Sequence, residues 1–285
     1  MHVDSVRVGL FQGPLTTPDT FASVEFNLAA IDTAAREAAA SGAKILLTPE
    51  MSATGYDIGE LVSLRAEPAD GPIFDSVAAI ARSAGIAVVY GYPELDGGDV
   101  YNSVQVVDRD GTSLAHYRKT HLFGTLDREH FRPGETLVVG FDFEGIRCGL
   151  LICYDVEFPE AVRAHADAGT EWLIVPTGLM TPYEHIAQQV VPARAYESQM
   201  FVTYVNRCGA ETELTYCGLS CAIAPDGAEL ARAGGDQELL FADIAAATVA
   251  QSRTLNTHLD DRRLDLYPDL PVTTVSKENR RWPSQ

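Results

Sequence analysis

Short, largely apolar runs alternate with amphipathic stretches through the first ninety residues, and that alternation dictates the kind of sheet this chain can build. Val6-Arg7-Val8-Gly9-Leu10-Phe11 reads as a strand, after which Val24, Leu28, Ile31, Ala35 and Ala38 keep helical spacing up to Ser41-Gly42. Residues 43–48 form a second strand stopped by Pro49-Glu50, residues 72–84 a second helix, and residues 86–91 a third strand. Strands this largely apolar, alternating with helices, predict an α/β sheet covered by helices.

The middle of the chain reads differently. Residues 103–107 and 113–117 flank Asp110-Gly111, and residues 137–143 and 147–152 flank Glu144-Gly145, so both pairs read as hairpins. Strand and helix then alternate again: a helix over 156–168, a strand over 172–176, a helix over about 184–198 and a strand over 201–206. A last hairpin turns at Pro225-Asp226-Gly227. Beyond about residue 252 the chain is charged and proline-punctuated, with Asp260-Asp261-Arg262-Arg263, and is expected to be an arm packed on the body or on a partner subunit. One domain over 1–285 is expected, since 46% hydrophobic content supports a single large core.

A formal net charge of −19 lacks the basic footprint that phosphate recognition needs, which argues against nucleic acid and anionic membranes as partners. The N-terminal residues 1–7 carry no apolar signal-like core, and no apolar run approaches spanning length, so the expectation is a cytoplasmic protein. Five cysteines, at 148, 153, 208, 217 and 221, are an odd number for a stapled secreted fold. Cys148 and Cys153 would face opposite sides of one strand, and Cys217-x-x-x-Cys221 has neither zinc nor redox spacing; no metal and no cofactor are expected.

Three candidates for chemistry fall at strand ends: Glu50, Lys119 and Cys153. Gly149-Leu-Leu-Ile-Cys153 delivers a thiol to a strand-to-helix corner, where free N–H groups point at whatever binds. A thiol of ordinary pKa ~8.5 becomes a competent nucleophile when a carboxylate takes its proton or a cation steadies its thiolate. Glu50 can be that base and Lys119 that cation. Each also has a plainer role: a core cysteine, a solvated loop glutamate, a surface lysine.

The segments Leu47-Thr48-Pro49-Glu50 with Thr54-Gly55-Tyr56, Tyr117-Arg118-Lys119-Thr120-His121-Leu122-Phe123, and Gly149 to Glu160 resemble, in order and interval, those of the nitrilase superfamily of carbon-nitrogen hydrolases. Phe131-Arg132-Pro133-Gly134, Ala193-Arg194-Ala195-Tyr196-Glu197 and Asn206-Arg207 extend the resemblance over nearly the whole chain. It implies an αββα four-layer sandwich, a Glu50-Lys119-Cys153 triad, and association into a homodimer or larger homo-oligomer. It also implies a further site glutamate, carried onto Glu129, with Asp127 and Glu135 as nearby competitors.

On that resemblance, Cys153 attacks an amide carbonyl, Glu50 shuttles protons, and Lys119 with the Tyr154 backbone N–H steadies the oxyanion. Ammonia leaves, and water hydrolyses the thioester. The pocket is expected to draw on Tyr56, Phe158, Thr177 and Gly178. Small linear amides are the expected substrates, with nitriles and N-carbamoyl compounds as alternatives and a non-catalytic binding protein as the reading from another class. Arg194 and Arg207 read as structural ion-pair partners, and His121 as a supporting group.

Overall fold

In the computed structural model, residues 5–13 and 24–267 are described. In chain order the elements are β1 (Val6–Gln12), α1 (Val24–Ala40), β2 (Ile45–Leu47), α2 (Leu61–Arg65), α3 (Pro72–Ala84), β3 (Ala87–Asp96), β4 (Asp99–Val107) and β5 (Ser113–Arg118). Then come α4 (Gly124–His130), β6 (Gly140–Phe143), β7 (Ile146–Leu150), α5 (Pro159–Asp167), β8 (Trp172–Pro176), α6 (Val191–Ser198) and β9 (Phe201–Val205). The chain continues with β10 (Cys208–Glu211), β11 (Leu214–Cys217), β12 (Cys221–Ile223), β13 (Glu229–Arg232), β14 (Glu238–Ile244) and α7 (Ala246–Leu255).

Two six-stranded sheets carry the fold, in the orders β14-β1-β2-β3-β4-β5 and β13-β12-β9-β8-β7-β6. Each has three parallel strands at its centre, β1-β2-β3 and β7-β8-β9, with antiparallel strands added outside. The period-2 alternation of strands assigns their faces. Val8, Leu10, Ile45, Leu47 and Val89 join the buried cluster shared with the second sheet. Leu46, Val88 and Tyr90 point the other way, under Ile31, Ala35 and Ala38 of α1 and Val77 and Ala81 of α3. Helices α5 and α6 cover the second sheet, so the layers run helix, sheet, sheet, helix, the expected αββα sandwich.

Local departures from the sequence expectations have chemical causes. The helix expected over 156–168 is a 3-10 turn, Cys153–Glu157, followed by α5, because Pro159 suits the first position of a helix rather than its interior. The helix expected over 184–198 opens with a wide turn over Ile186–Val190, in which the Val191 N–H reaches back to the Ile186 carbonyl. Pro192, which has no N–H to offer, accounts for the shifted pattern. Residues 214–223 form two strands, β11 and β12, separated where Gly218 and Leu219 take positive φ of 66° and 61°.

The described part of the arm lies on the body. Gln199 donates through Nε2 to the carbonyls of Ser252 at 3.2 Å and Asn256 at 2.6 Å, and Arg262 meets Asp167 at 2.6 Å. The expected arm beyond residue 267 lies outside the described residues. No described helix is long and apolar enough to cross a membrane.

Candidate active site

Glu50, Lys119 and Cys153 all fall just past strand ends, after β2, β5 and β7, and all three are buried. Glu50 begins a turn in which Met51 takes φ of 53°, and β3 passes so close behind it that a Cβ on Gly91 would stand 2.4 Å from the Met51 nitrogen. Glycine is therefore required at position 91 by close approach. Lys119 donates its backbone N–H to the Asn102 carbonyl at 2.8 Å, which carries the end of β5 along β4.

The fully buried Lys119 ammonium lies 2.8 Å from Glu50 Oε1 and 2.7 Å from Asp127 Oδ2. Asn102 Nδ2 donates to the same Glu50 oxygen at 2.7 Å. Asp127 also accepts from the Phe123 N–H at 2.8 Å and from the Tyr56 hydroxyl at 2.7 Å. Burial would lower the Lys119 pKa, but Asp127 and Glu50 together hold it well above the ordinary lysine value. For Glu50 the balance tips the other way. Burial raises its pKa, Lys119 opposes, Asp127 adds to the rise, and the net result is upward. Its second oxygen, Oε2, is buried and has no hydrogen-bond partner among the described residues. A carboxylate with a raised pKa and one uncommitted oxygen is built to accept and return a proton.

Cys153 starts its turn with φ of 47°, a left-handed conformation rarely adopted by a residue with a side chain. Its thiol feels both charged partners: burial and the Glu50 carboxylate push its pKa up, while Lys119, the Thr177 hydroxyl and the Gly178 N–H pull it down. The thiol therefore rests protonated, with a base at hand. Gly178 approaches Glu50 so closely that a Cβ there would stand 3.2 Å from Oε2. Expected pocket residues Thr177, Gly178 and Tyr56 thus converge on the three charged or reactive groups. Tyr154 and Phe158 lie at the rim, edge-to-face at 4.9 Å, with Phe158 stacked on His121 at 4.0 Å.

Glu129 is not part of this constellation. It is exposed on α4, whereas Asp127, two residues earlier, is fully buried against Lys119. On one turn of helix those positions face different sides, so only one can point inward. Asp127 takes the place that the resemblance assigned to Glu129.

Two further groups escaped the sequence reading. Asp155, fully buried, accepts from the Ile152 N–H at 3.1 Å, the Tyr117 hydroxyl at 2.8 Å, the Thr120 hydroxyl at 2.9 Å and the His121 N–H at 2.9 Å. It ties the nucleophile's corner to the loop bearing Lys119. Glu211, on the β10–β11 hairpin, accepts from the backbone N–H groups of Tyr56 and Asp57 and pairs with Arg207 at 3.4 Å. Arg207 in turn donates to the Glu50 and Met51 carbonyls at 3.2 and 3.3 Å, bracing the base from behind. Arg194 pairs with Glu197 at 2.9 Å. A charged residue two positions after a strand-end cysteine was the one available hint of Asp155. Among the described residues no cluster of three or more His, Cys, Asp or Glu is arranged to hold a metal ion.

Four layers with an acid, a lysine and a cysteine gathered at the carboxyl ends of their strands define a carbon-nitrogen hydrolase of the nitrilase-superfamily type. The Carbon-nitrogen hydrolase family model matches residues 7–254, and the chain belongs to that family. The "Hydrolase in pqqF 5'region" of Pseudomonas protegens is 45% identical over 270 residues, covering 94% of this chain and 93% of its own length. An (R)-stereoselective amidase of a Pseudomonas species is 37% identical over 78% of this chain and 80% of its own. Among solved structures, a mutant amidase from Nesterenkonia sp. AN1, showing covalent addition of the acetamide moiety of fluoroacetamide at its active site cysteine, superposes with a TM-score of 0.83. It is 31% identical, over 95% of this chain and 98% of that one.

Proposed function

We propose that this chain hydrolyses the carbon-nitrogen bond of small linear amides, releasing ammonia and a carboxylic acid through a thioester on Cys153. The observation that carries the reading is the uncommitted Glu50 Oε2 beside a buried thiol, with Lys119 fixed on the other Glu50 oxygen. Glu50 takes the thiol proton as Cys153 attacks the amide carbonyl. The oxyanion that forms is met by the Lys119 ammonium and the Tyr154 N–H, the donors that follow from their positions in the family motif. Glu50 protonates the departing nitrogen, ammonia leaves, and Glu50 then deprotonates a water that attacks the thioester, so the enzyme ends as it began. Asp127 orients Lys119 and Tyr56 and touches no reacting atom in this scheme.

The named amidase relatives support amide hydrolysis, and the acetamide adduct on the active site cysteine of a related amidase supports a nucleophilic role for Cys153. A cytoplasmic homo-oligomer remains the proposed setting. The test is ammonia release from a panel of aliphatic amides, ω-amides, N-carbamoyl amino acids and nitriles, with Cys153→Ala alongside and intact mass recorded during turnover. Amide turnover with an acyl adduct on Cys153 supports the proposal. Turnover confined to nitriles or carbamoyl compounds, or retained by Cys153→Ala, refutes it.

A further inference from the structure

The β10–β11 hairpin sets two cysteines directly opposite each other. Cys208 pairs with Cys217 in an antiparallel register that continues through Gly209 with Tyr216, Ala210 with Thr215 and Glu211 with Leu214. The Gly218 N–H donates to the Arg207 carbonyl at 3.2 Å, one residue outside the cysteine pair on each strand. That bond marks Cys208 and Cys217 as a non-hydrogen-bonded pair, the narrow kind, in which opposed Cα atoms stand about 4.5 Å apart and side chains share one face. Such a separation lies within the span a disulfide accepts. Of the five cysteines these are the two that the sheet register places opposite one another; Cys148 pairs with Phe141 and Cys221 with Tyr204 and Arg232.

Faces matter as well as register. Glu211 and Tyr216, bonded to each other, occupy the face turned to the site, and both are buried. Cys208 and Cys217 occupy the other face with Ala210 and Thr215, both exposed. Cys208 is buried, whereas Cys217 is only half-buried, so one thiol of the pair is open to a reagent. Cys217 also borders the site wall: its N–H donates to the Leu179 carbonyl at 3.1 Å and its sulfur lies 3.3 Å from the same oxygen. Leu179 follows directly on Gly178.

We infer that Cys208 and Cys217 form a two-electron redox site, oxidised to a cross-strand disulfide by low-molecular-weight disulfides such as glutathione disulfide. The Cys217 thiolate attacks one sulfur of the reagent, its S–S bond breaks, and one reagent thiolate leaves. The Cys208 thiolate then attacks the Cys217 sulfur of the mixed disulfide and displaces the second reagent thiolate. Two protein thiols are oxidised to one disulfide, one reagent disulfide is reduced to two thiols, and the two protons pass to the released thiolates. Burial raises both thiols to about 11, which makes the exchange slow near neutral pH and faster as the medium turns alkaline.

The test uses full-length Cys153→Ala protein, so that the nucleophile contributes no adduct and the amidase reading is not at stake. The folded protein is equilibrated with glutathione disulfide at several ratios to glutathione, alkylated and cleaved after glutamate; Glu211 and Glu213 separate Cys208 from Cys217. The expected result is a linked pair of peptides, 2 Da below the sum of the reduced ones. It should be reversed by dithiothreitol, retained in Cys221→Ser and lost in Cys208→Ser. The linked form should also melt several degrees above the reduced form, a shift absent from Cys208→Ser treated alike. Glutathione adducts without a linked pair, linkage to Cys221 instead, or linkage only in urea would each overturn the inference.

Discussion

Asp127 Oδ2 stands 2.7 Å from Lys119 Nζ, so the buried ammonium is held between two carboxylates, with Glu50 Oε1 at 2.8 Å on its other side. Two negative charges share one positive charge out of reach of water; burial raises the Glu50 pKa, Lys119 opposes the rise and Asp127 adds to it.

Asp127→Asn removes one of those negative charges. The Glu50 pKa should fall, because Asp127 is one of the groups raising it, and the acid limb of the kcat/KM profile should move to lower pH. Loosened placement of Lys119 should also cost about 100-fold in kcat/KM. A pH–rate profile of both proteins checks this, and an acid limb that stays put or moves up would show that Asp127 does not act on the base.

Lys119→Ala removes the cation held between the two carboxylates, which should cost about 3–5 kcal/mol. Glu50 already has a raised folded pKa and loses the lysine that opposes the rise. The sign follows: a group whose pKa is raised by folding contributes stability at low pH that is lost as pH increases. Urea unfolding should find this variant closest to the parent near pH 5 and furthest from it near pH 8.

Asp155→Ala leaves the donors of Ile152, Tyr117, Thr120 and His121 without their common acceptor. Stability should drop by about 3 kcal/mol, and kcat should fall more than KM rises, since the corner holding Cys153 is released. Thermal melting together with steady-state kinetics reads both effects, and Asp155→Asn should recover part of each.

Glu94 governs behaviour in acid. Burial would raise its carboxyl, but the His116 ring nitrogen at 2.8 Å and hydrogen bonds from Arg118 and Ser103 overcome that and hold it at about 2. A depressed folded pKa contributes stability above the unfolded value of 4.5 that is lost as pH falls toward 2. With allowance for solvent screening the amount is about 2 kcal/mol. Glu94→Gln should therefore be less stable than the parent at pH 7, with the gap closing between pH 4.5 and 2; a constant gap would contradict the assignment.

Glu50, Lys119 and Cys153 were legible because each ends a strand that sequence periodicity already marks, and strand ends are where sheets expose chemistry. Asp127 was not, because the choice between it and Glu129 depends on the phase of a seven-residue helix, Gly124–His130, too short to show an amphipathic period. Glu211 and Tyr216 were hidden for a different reason. Their partners lie about 155 residues away, at Tyr56 and Asp57, or across a hairpin whose strands are four residues each. Strand β14 escaped similarly, since what makes it a strand is pairing with β1 at the opposite end of the chain.

The base and the lysine hang from one sheet and the cysteine from the other, so no backbone hydrogen-bonded ladder sets the distance between them. That spacing is kept by side chains interleaved between the sheets, Val8, Leu47 and Val104 among them, and by a few bridges such as Tyr117 to Asp155. Turnover is accordingly a gauge of how the two halves are seated. A core truncation far from the mouth that lets one sheet slide by a fraction of an ångström should silence the enzyme while circular dichroism still reports an intact fold.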